Sequence, residues 1–159
     1  VVVLAVTGHM NVAPDSIPMI SEALDDEIAK YPAEDLIGVT CLARGADTLF
    51  ADAVVKAGGR LRVVLPSRDY RDRKVKPAHA PDFDRLIAAA DVEVLPFDTA
   101  SRDAYEAANE ILLGTADHLI AVWDGDTTAN RSGTSDVVAR AQDAGLPVTV
   151  VWPAGAHRD

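Results

Sequence analysis

Sulfur chemistry has almost no foothold in this chain. A single cysteine, Cys41, stands among 159 residues, so an internal disulfide is excluded and the composition suits a reducing, cytoplasmic setting. The four histidines, at positions 9, 79, 118 and 157, show none of the spacing that metal ligands need, and no metal site is expected. Long apolar runs are missing as well. The longest, Val1 to Val6, is far short of the about 20 residues that cross a bilayer, and it lacks the basic leader and small-residue cleavage site of a secretory signal. No Gly-Lys-Ser or Gly-Lys-Thr occurs, which removes the triphosphatase phosphate loop, and the strict dinucleotide fingerprint does not follow the first strand. No serine elbow or hydrolytic triad is visible. The chain does not begin with Met, so a few residues ahead of Val1 are expected.

Positive charge is also scarce. Lys and Arg number 15 against 25 Asp and Glu, a formal net charge of -10. That sign opposes general attraction to DNA or to an anionic membrane, so neither is expected as a partner unless a local basic patch overrides it. The scarcity is uneven. Arg68, Arg71, Arg73, Lys74 and Lys76 gather within one short stretch, offset by only Asp69 and Asp72. Such a run is usually a solvated face. Following a strand in an acidic chain, it also reads as a flap over 67–81 facing an anion.

What is present is an ordinary globule's balance: 48% apolar and 25% charged residues, in a length that suits one domain over 1–159. Apolar, β-branched runs at Val1 to Thr7, Leu36 to Cys41, Arg60 to Leu65, Val92 to Phe97, His118 to Trp123 and Pro147 to Trp152 read as strands. Helical stretches alternate with them. Asp15 or Ser16 is placed to cap a helix with Pro18 in its first turn, and Ile20, Leu24 and Ile28 form its buried stripe. Further helices are expected from about Ala46 to Ala57, Asp82 to Ala90, Arg102 to Gly114 (capped by Ser101) and Thr134 to Ala144. Strands apolar on both faces alternating with helices predict an α/β fold, a three-layer Rossmann-like domain. Its mainly parallel sheet is covered by helices on both faces.

In such a sheet the loops leaving the strands meet at one edge, where ligands bind. Four of them are polar or glycine-rich: Gly8-His9-Met10-Asn11, Arg44-Gly45-Ala46-Asp47, the basic stretch, and Asp124 to Thr134. Strand, Asp124-Gly125, then Arg131-Ser132-Gly133-Thr134 opening a helix is the layout of an anion site, because first-turn N–H groups and the helix dipole favour phosphate. Arg44 and Arg131 are candidate phosphate clamps, or partners of a nearby Asp. Asp47 and Asp124 suit ribose hydroxyls, and Asp47 equally suits a helix cap. His9 is placed to bind phosphate or act as an acid, although a lone histidine at a strand exit is more often structural. Trp123 and Tyr70 offer stacking surfaces, Trp123 fitting the core better.

Several of these motifs together resemble the SLOG superfamily. They are Val6-Thr7-Gly8-His9, Leu42-Ala43-Arg44-Gly45-Ala46-Asp47, Tyr105 with Asn109, Ala116-Asp117, Trp123-Asp124-Gly125 and Gly133-Thr134, spread over nearly the whole chain. That group includes the YpsA-like proteins, which are the nearest match, the DNA-processing protein A family, and the LOG or "lysine decarboxylase-like" enzymes. The resemblance implies a Rossmann-like core with a nucleotide-related ligand at the glycine-rich strand ends, and pairing into a homodimer. Some members are proposed sensors of nucleotide signals.

LOG enzymes are phosphoribohydrolases, with two glycines, a third before Thr, and acidic residues opening the helix. Here Ser132-Gly133-Thr134-Ser135-Asp136-Val137 keeps Gly133-Thr134, lacks the glycine pair, and has one acid followed by valine. Ala43-Arg44-Gly45 and Arg131-Ser132-Gly133 echo the DNA-processing proteins, which bind single strands, but the acidity of this chain argues against that role.

The leading expectation is therefore a protein that binds or senses a nucleotide or ADP-ribose-type ligand, with no further cofactor firmly implied. Its binding residues would be Gly8, His9, Arg44, Gly45, Asp47, Asn109, Asp124, Gly125, Arg131, Ser132, Gly133 and Thr134. The enzyme alternative breaks an N-glycosidic bond through an oxocarbenium-like state and needs a carboxylate, for which Asp136, Asp124 and Asp47 are the candidates. A regulatory protein-interaction module is the third reading.

Overall fold

The structure, a computed structural model, describes residues 1–127 and 133–159. Six strands form one sheet: β1 (Val2–Gly8), β2 (Leu36–Thr40), β3 (Arg60–Leu65), β4 (Ala90–Val94), β5 (His118–Val122) and β6 (Val148–Val150). They run in the order β4-β3-β2-β1-β5-β6, and every neighbouring pair is parallel. The helices are α1 (Ile17–Ile28), α2 (Ala46–Lys56), α3 (Tyr70–Lys74), α4 (Ala80–Ala88), α5 (Arg102–Thr115) and α6 (Thr134–Asp143).

Period-two alternation divides the core between two faces. Leu4 and Val6 point to one side, where Ile20, Leu24 and Ile28 of α1 and Phe50 and Val54 of α2 cover them. Ala5 and Val39 point to the other, against Ala108 and Leu112 of α5 and Val137 and Ala141 of α6. Phe83 and Leu86 of α4 extend the first layer over Leu61 and Val63 of β3. The result is the expected three-layer Rossmann-like α/β fold. Connections lead one way from β1 through β2 to β4, and the other way through β5 and β6. The strand order therefore reverses between β1 and β5, the kind of switch point beside which parallel sheets place a crevice at their carboxyl edge.

Three local expectations need correction. Helix α4 begins two residues earlier than Asp82, and β4 starts at Ala90, which the sequence assigns to the helix. Continuous alanine obscures that boundary, and β4 is an edge strand whose Val92, Glu93 and Val94 are exposed rather than apolar on two covered faces. Ser16 makes no capping bond to α1. Its hydroxyl instead accepts the His157 N–H at 2.9 Å, because a 3-10 turn at Pro14–Ser16 carries the chain into the helix. Within 67–81, five residues form α3. Ser101 does cap α5, accepting the Ala104 N–H at 3.2 Å. Among the described residues, no helix is long and apolar enough to cross a membrane.

Candidate functional site

A cleft of about 1120 Å3 opens at the carboxyl edge above β1 and β2. Its walls are the β1 exit (Gly8 to Asn11), the β2 exit (Ala43, Arg44 and Asp47), the basic stretch (Lys74 and Lys76) and one face of α5. Tyr105, Asn109 and Leu112 lie four and three residues apart, so they share that face of α5. Gly133 and Thr134 bring the start of α6, where no described side chain caps the first turn.

The β2 exit is held from several sides. Leu42 adopts a left-handed conformation, φ 58°, although it is neither glycine nor exposed. The Thr40 hydroxyl accepts its N–H at 2.9 Å, and its carbonyl accepts a bond from His79 Nε2 at 3.1 Å. Asp47 reaches back four residues to accept the Ala43 N–H at 3.2 Å, and Thr48 donates to the Ala43 carbonyl at 2.8 Å. Gly45 follows with φ 77° and ψ -126°, and an added Cβ would lie 2.6 Å from both the His9 and Met10 carbonyl oxygens. Only glycine fits there. This network presents Arg44 to the cleft, exposed and with no ion-pair partner among the described residues.

Burial raises Asp47 to about 6, although the Ala43 amide and the Thr40 hydroxyl pull the other way. The carboxyl therefore titrates close to neutrality inside the cleft. Burial likewise pushes up the Cys41 thiol and the Tyr70 phenol, keeping both neutral. Tyr70 packs edge-on to Tyr105, ring centroids 6.2 Å apart, and is core more than stacking surface.

His9 is buried beside Trp152, ring centroids 5.6 Å apart, with its Nε2 3.1 Å from Asp124 Oδ1 and 3.2 Å from the Asp124 amide. Burial and the nearby Arg158 charge lower its pKa, outweighing Asp124 and Asp126. The neutral imidazole thus contacts both the amide and the carboxyl of Asp124, just past the end of β5. Burial alone would raise the Asp124 carboxyl, but the Asp126 amide, His9 and Arg158 together hold it below its usual range.

The candidates thus divide. Gly8, His9, Arg44, Asp47, Asn109, Gly133 and Thr134 line one cleft. Asp124 does not line it, because its carboxylate turns back onto His9 and Arg158. Gly125 has φ 86°, with nothing among the described residues within 4 Å of an added Cβ, and Gly45 is not among the lining residues. Asp136 faces a separate groove of about 260 Å3 with Arg102, Glu106 and Arg140. Residues i and i+2 of a helix are rotated by about 200°, so Thr134 and Asp136 lie on nearly opposite faces and turn to different walls. Trp123 is half-buried, its indole N–H donating to the Asp126 carbonyl at 3.1 Å. Arg131 and Ser132 lie outside the described residues. No group of three or more His, Cys, Asp or Glu among the described residues is arranged to hold a metal.

Sequence reasoning missed His79, Arg102 and Arg158 as lining residues. Arg102 stands at 3.3 Å from Glu106, and Arg158 at 3.5 Å from Asp124. Counting them, the described lining of the cleft gathers Arg44, Lys74, Lys76, Arg102 and Arg158 with one carboxyl, Asp47. The charge balance of the chain is reversed inside its cleft.

No family model and no curated protein matches this chain. Solved structures do share its architecture. DNA processing protein A from Streptococcus pneumoniae is 21% identical with a TM-score of 0.67, over 94% of this chain and 50% of that one. This chain therefore spans half the length of that protein. DNA processing protein A from Helicobacter pylori, described in a single-stranded DNA binding mode, is 15% identical with a TM-score of 0.65, over 99% of this chain and 68% of that one. The molybdenum cofactor binding protein from Rippkaea orientalis is 21% identical with a TM-score of 0.61, over 94% of this chain and 75% of that one. At these identities the likeness establishes the fold.

It also corrects one expectation. A net charge of -10 was grounds for setting nucleic acids aside, yet a single-stranded DNA-binding protein shares this fold. The physical reason is that binding senses the local potential, and among the described residues the cleft lining holds five basic side chains against one carboxyl although acids outnumber bases in the chain.

Proposed function

We propose that the protein binds a small phosphate-bearing ligand of nucleotide or ADP-ribose type in the cleft above β1 and β2, acting as a binding or sensing protein. One observation carries the reading: among the described residues, five basic side chains and one carboxyl line the cleft of a chain whose acids outnumber its bases. Arg44, Lys74 and Lys76 have no acidic partner among the described residues, so an incoming anion meets cations that no carboxylate already holds. The α6 start at Gly133 and Thr134 adds backbone N–H groups and the positive end of a dipole. Tyr105 and Asn109 offer polar contacts to a base or sugar. The volume lies just above the range of about 300–1,000 Å3 usual for small-molecule sites. The sequence resemblance to the SLOG superfamily agrees with such a ligand.

The N-glycosidase reading has less support. Of its three carboxylates only Asp47 lines the cleft, and that group is engaged by the Ala43 amide and the Thr40 hydroxyl.

The test is a thermal-shift panel of adenosine and guanosine monophosphates, ADP-ribose, NAD, cyclic nucleotides and inorganic phosphate. Structural relatives bind the molybdenum cofactor in one case and single-stranded DNA in another, so a short oligodeoxynucleotide joins the panel. A ligand at 100 times its Kd stabilises the native state by about 2.7 kcal/mol, which is a rise of several degrees. A flat panel at millimolar ligand would overturn the reading. Release of free base from a monophosphate, lost in Asp47→Asn, would replace it with the enzyme reading.

A further inference from the structure

The last residues of the chain form part of the cleft. After β6, Pro153 to Ala156 makes a turn closed by an Ala156 N–H to Pro153 carbonyl bond at 3.0 Å. Gly155, φ 89°, occupies the position that such a turn reserves for glycine. The chain then runs back antiparallel beside the β1 exit, bridging Arg158 to Val12. Asn11 clasps it three times. Its carbonyl accepts the Asp159 N–H at 2.7 Å, its Nδ2 donates to the Asp159 carbonyl at 3.2 Å, and its Oδ1 accepts Arg158 Nε at 3.1 Å. His157 adds a backbone bond to Ala13 and another to the Ser16 hydroxyl.

The consequence is that Arg158 is aimed. Its Nε is fixed by Asn11, and its guanidinium enters the cleft over His9, with side-chain exposure of 34%. Of the five donors a guanidinium carries, one is committed at hydrogen-bond distance. Nη1 lies 3.5 Å from Asp124 Oδ2, an ion contact longer than a hydrogen bond, and Asp124 keeps His9 and the Asp126 amide whether or not Arg158 stays. An anion in the cleft can engage this fork in two parallel bonds, which Asp124 does not do.

We infer that Arg158 is a ligand-anion contact delivered by the C-terminal segment, exchanging its long contact with Asp124 for the ligand's phosphate. The inference rests on the anion-binding reading of this cleft and assigns one specificity-determining residue within it. Asn11 is the positioning residue that holds the fork in place.

The experiment measures pyrophosphate, adenosine monophosphate and adenosine binding to wild-type, Arg158→Gln and Arg158→Lys protein by calorimetry. The expected result is a loss of about tenfold for both charged ligands in Arg158→Gln, the effect of one charge-assisted contact, with affinity for adenosine unchanged. Arg158→Lys recovers part of the loss, since it restores charge without the planar fork. Histidine resonances give an independent readout: His9 titrates at higher pH in Arg158→Gln, because a positive neighbour has been removed. Equal affinity of wild type and Arg158→Gln for pyrophosphate overturns the inference and leaves the nucleotide reading standing. An equal loss for adenosine and its monophosphate also overturns it, marking the clasp as merely structural. Pyrophosphate binding that depends on Arg158 without any nucleotide binding sustains the inference and removes the nucleotide reading. No anion binding by the wild type removes both.

Discussion

The basic stretch after β3 has two ends that behave differently. At its start, Arg68 Nη1 meets Asp98 Oδ1 at 2.6 Å, and Arg71 grips Asp84 through Nε and Nη2 at 2.8 and 2.7 Å. Arg71 holds the Asp84 carboxyl below its usual range. Both pairs are exposed, where such contacts stabilise little. At its other end, Lys74 and Lys76 line the cleft beside Arg44, and none of the three has a carboxylate partner among the described residues. Of the five neighbouring charges, Arg68 and Arg71 thus belong to a neutralised surface and Lys74 and Lys76 to a cationic wall, while Arg73 neither lines the cleft nor has an ion-pair partner among the described residues. What separates them is whether each cation is compensated locally. Uncompensated cations around a cleft repel one another, and a bound anion relieves that repulsion.

The comparison is broken most severely by removing the cationic wall. In the triple variant Arg44→Gln, Lys74→Gln, Lys76→Gln, nucleotide affinity is expected to fall about 1000-fold, roughly 4 kcal/mol, with the unfolding midpoint unchanged or slightly raised. Calorimetry beside a denaturant titration checks both halves, and retained affinity would dissolve the distinction between the two ends.

The next effect concerns the carboxyl that shares the wall. Asp47 titrates at about 6 in the native protein against an ordinary 3.8, so between those values the folded state holds a proton that the unfolded state has released. Its contribution is most favourable below pH about 4 and declines until about 6, by on the order of 3 kcal/mol. Asp47→Asn flattens that decline. Urea midpoints from pH 4 to 7 in both proteins measure it, and parallel slopes would contradict the assignment.

A smaller loss comes from Thr40→Val, which removes the acceptor of the Leu42 N–H and a hydrogen bond to Asp47. About 1–2 kcal/mol of stability is expected to go. Ligand affinity should fall with it, as the left-handed Leu42 and the loop carrying Arg44 loosen. Smallest of all is Arg71→Gln. That change empties the outer pair and should leave both nucleotide affinity and melting temperature where they were, and a weakened affinity would show that the two ends are coupled.

Much of this molecule is legible in one dimension because its signals are local. Runs such as Leu4-Ala5-Val6 and Leu119-Ile120-Ala121 are buried on both faces, and that alone specifies a parallel sheet covered twice. Gly8, Arg44 and Thr134 fall beside the cleft because each sits within a few residues of a strand end or helix start, and the fold brings those ends to one edge. Legibility fails where a side chain's direction decides. Asp124 follows β5 as expected, yet it faces His9, and Asp136 opens the expected helix on the wrong side of it. The β4 boundary fails for lack of contrast, since Leu86 to Ala90 is apolar without a break. Arg158 is beyond local reading altogether. Its position depends on Asn11, 147 residues away, and no pattern near either residue announces the other.

The most direct measurement is amide chemical-shift mapping of the wild-type protein during titration with the nucleotide that gives the largest thermal shift. The account predicts perturbations at Gly8, Arg44, Lys74, Lys76 and Thr134, with Arg71 and Asp84 unmoved. Perturbations gathered on the outer Arg71 and Asp84 surface, or none at millimolar ligand, would contradict it.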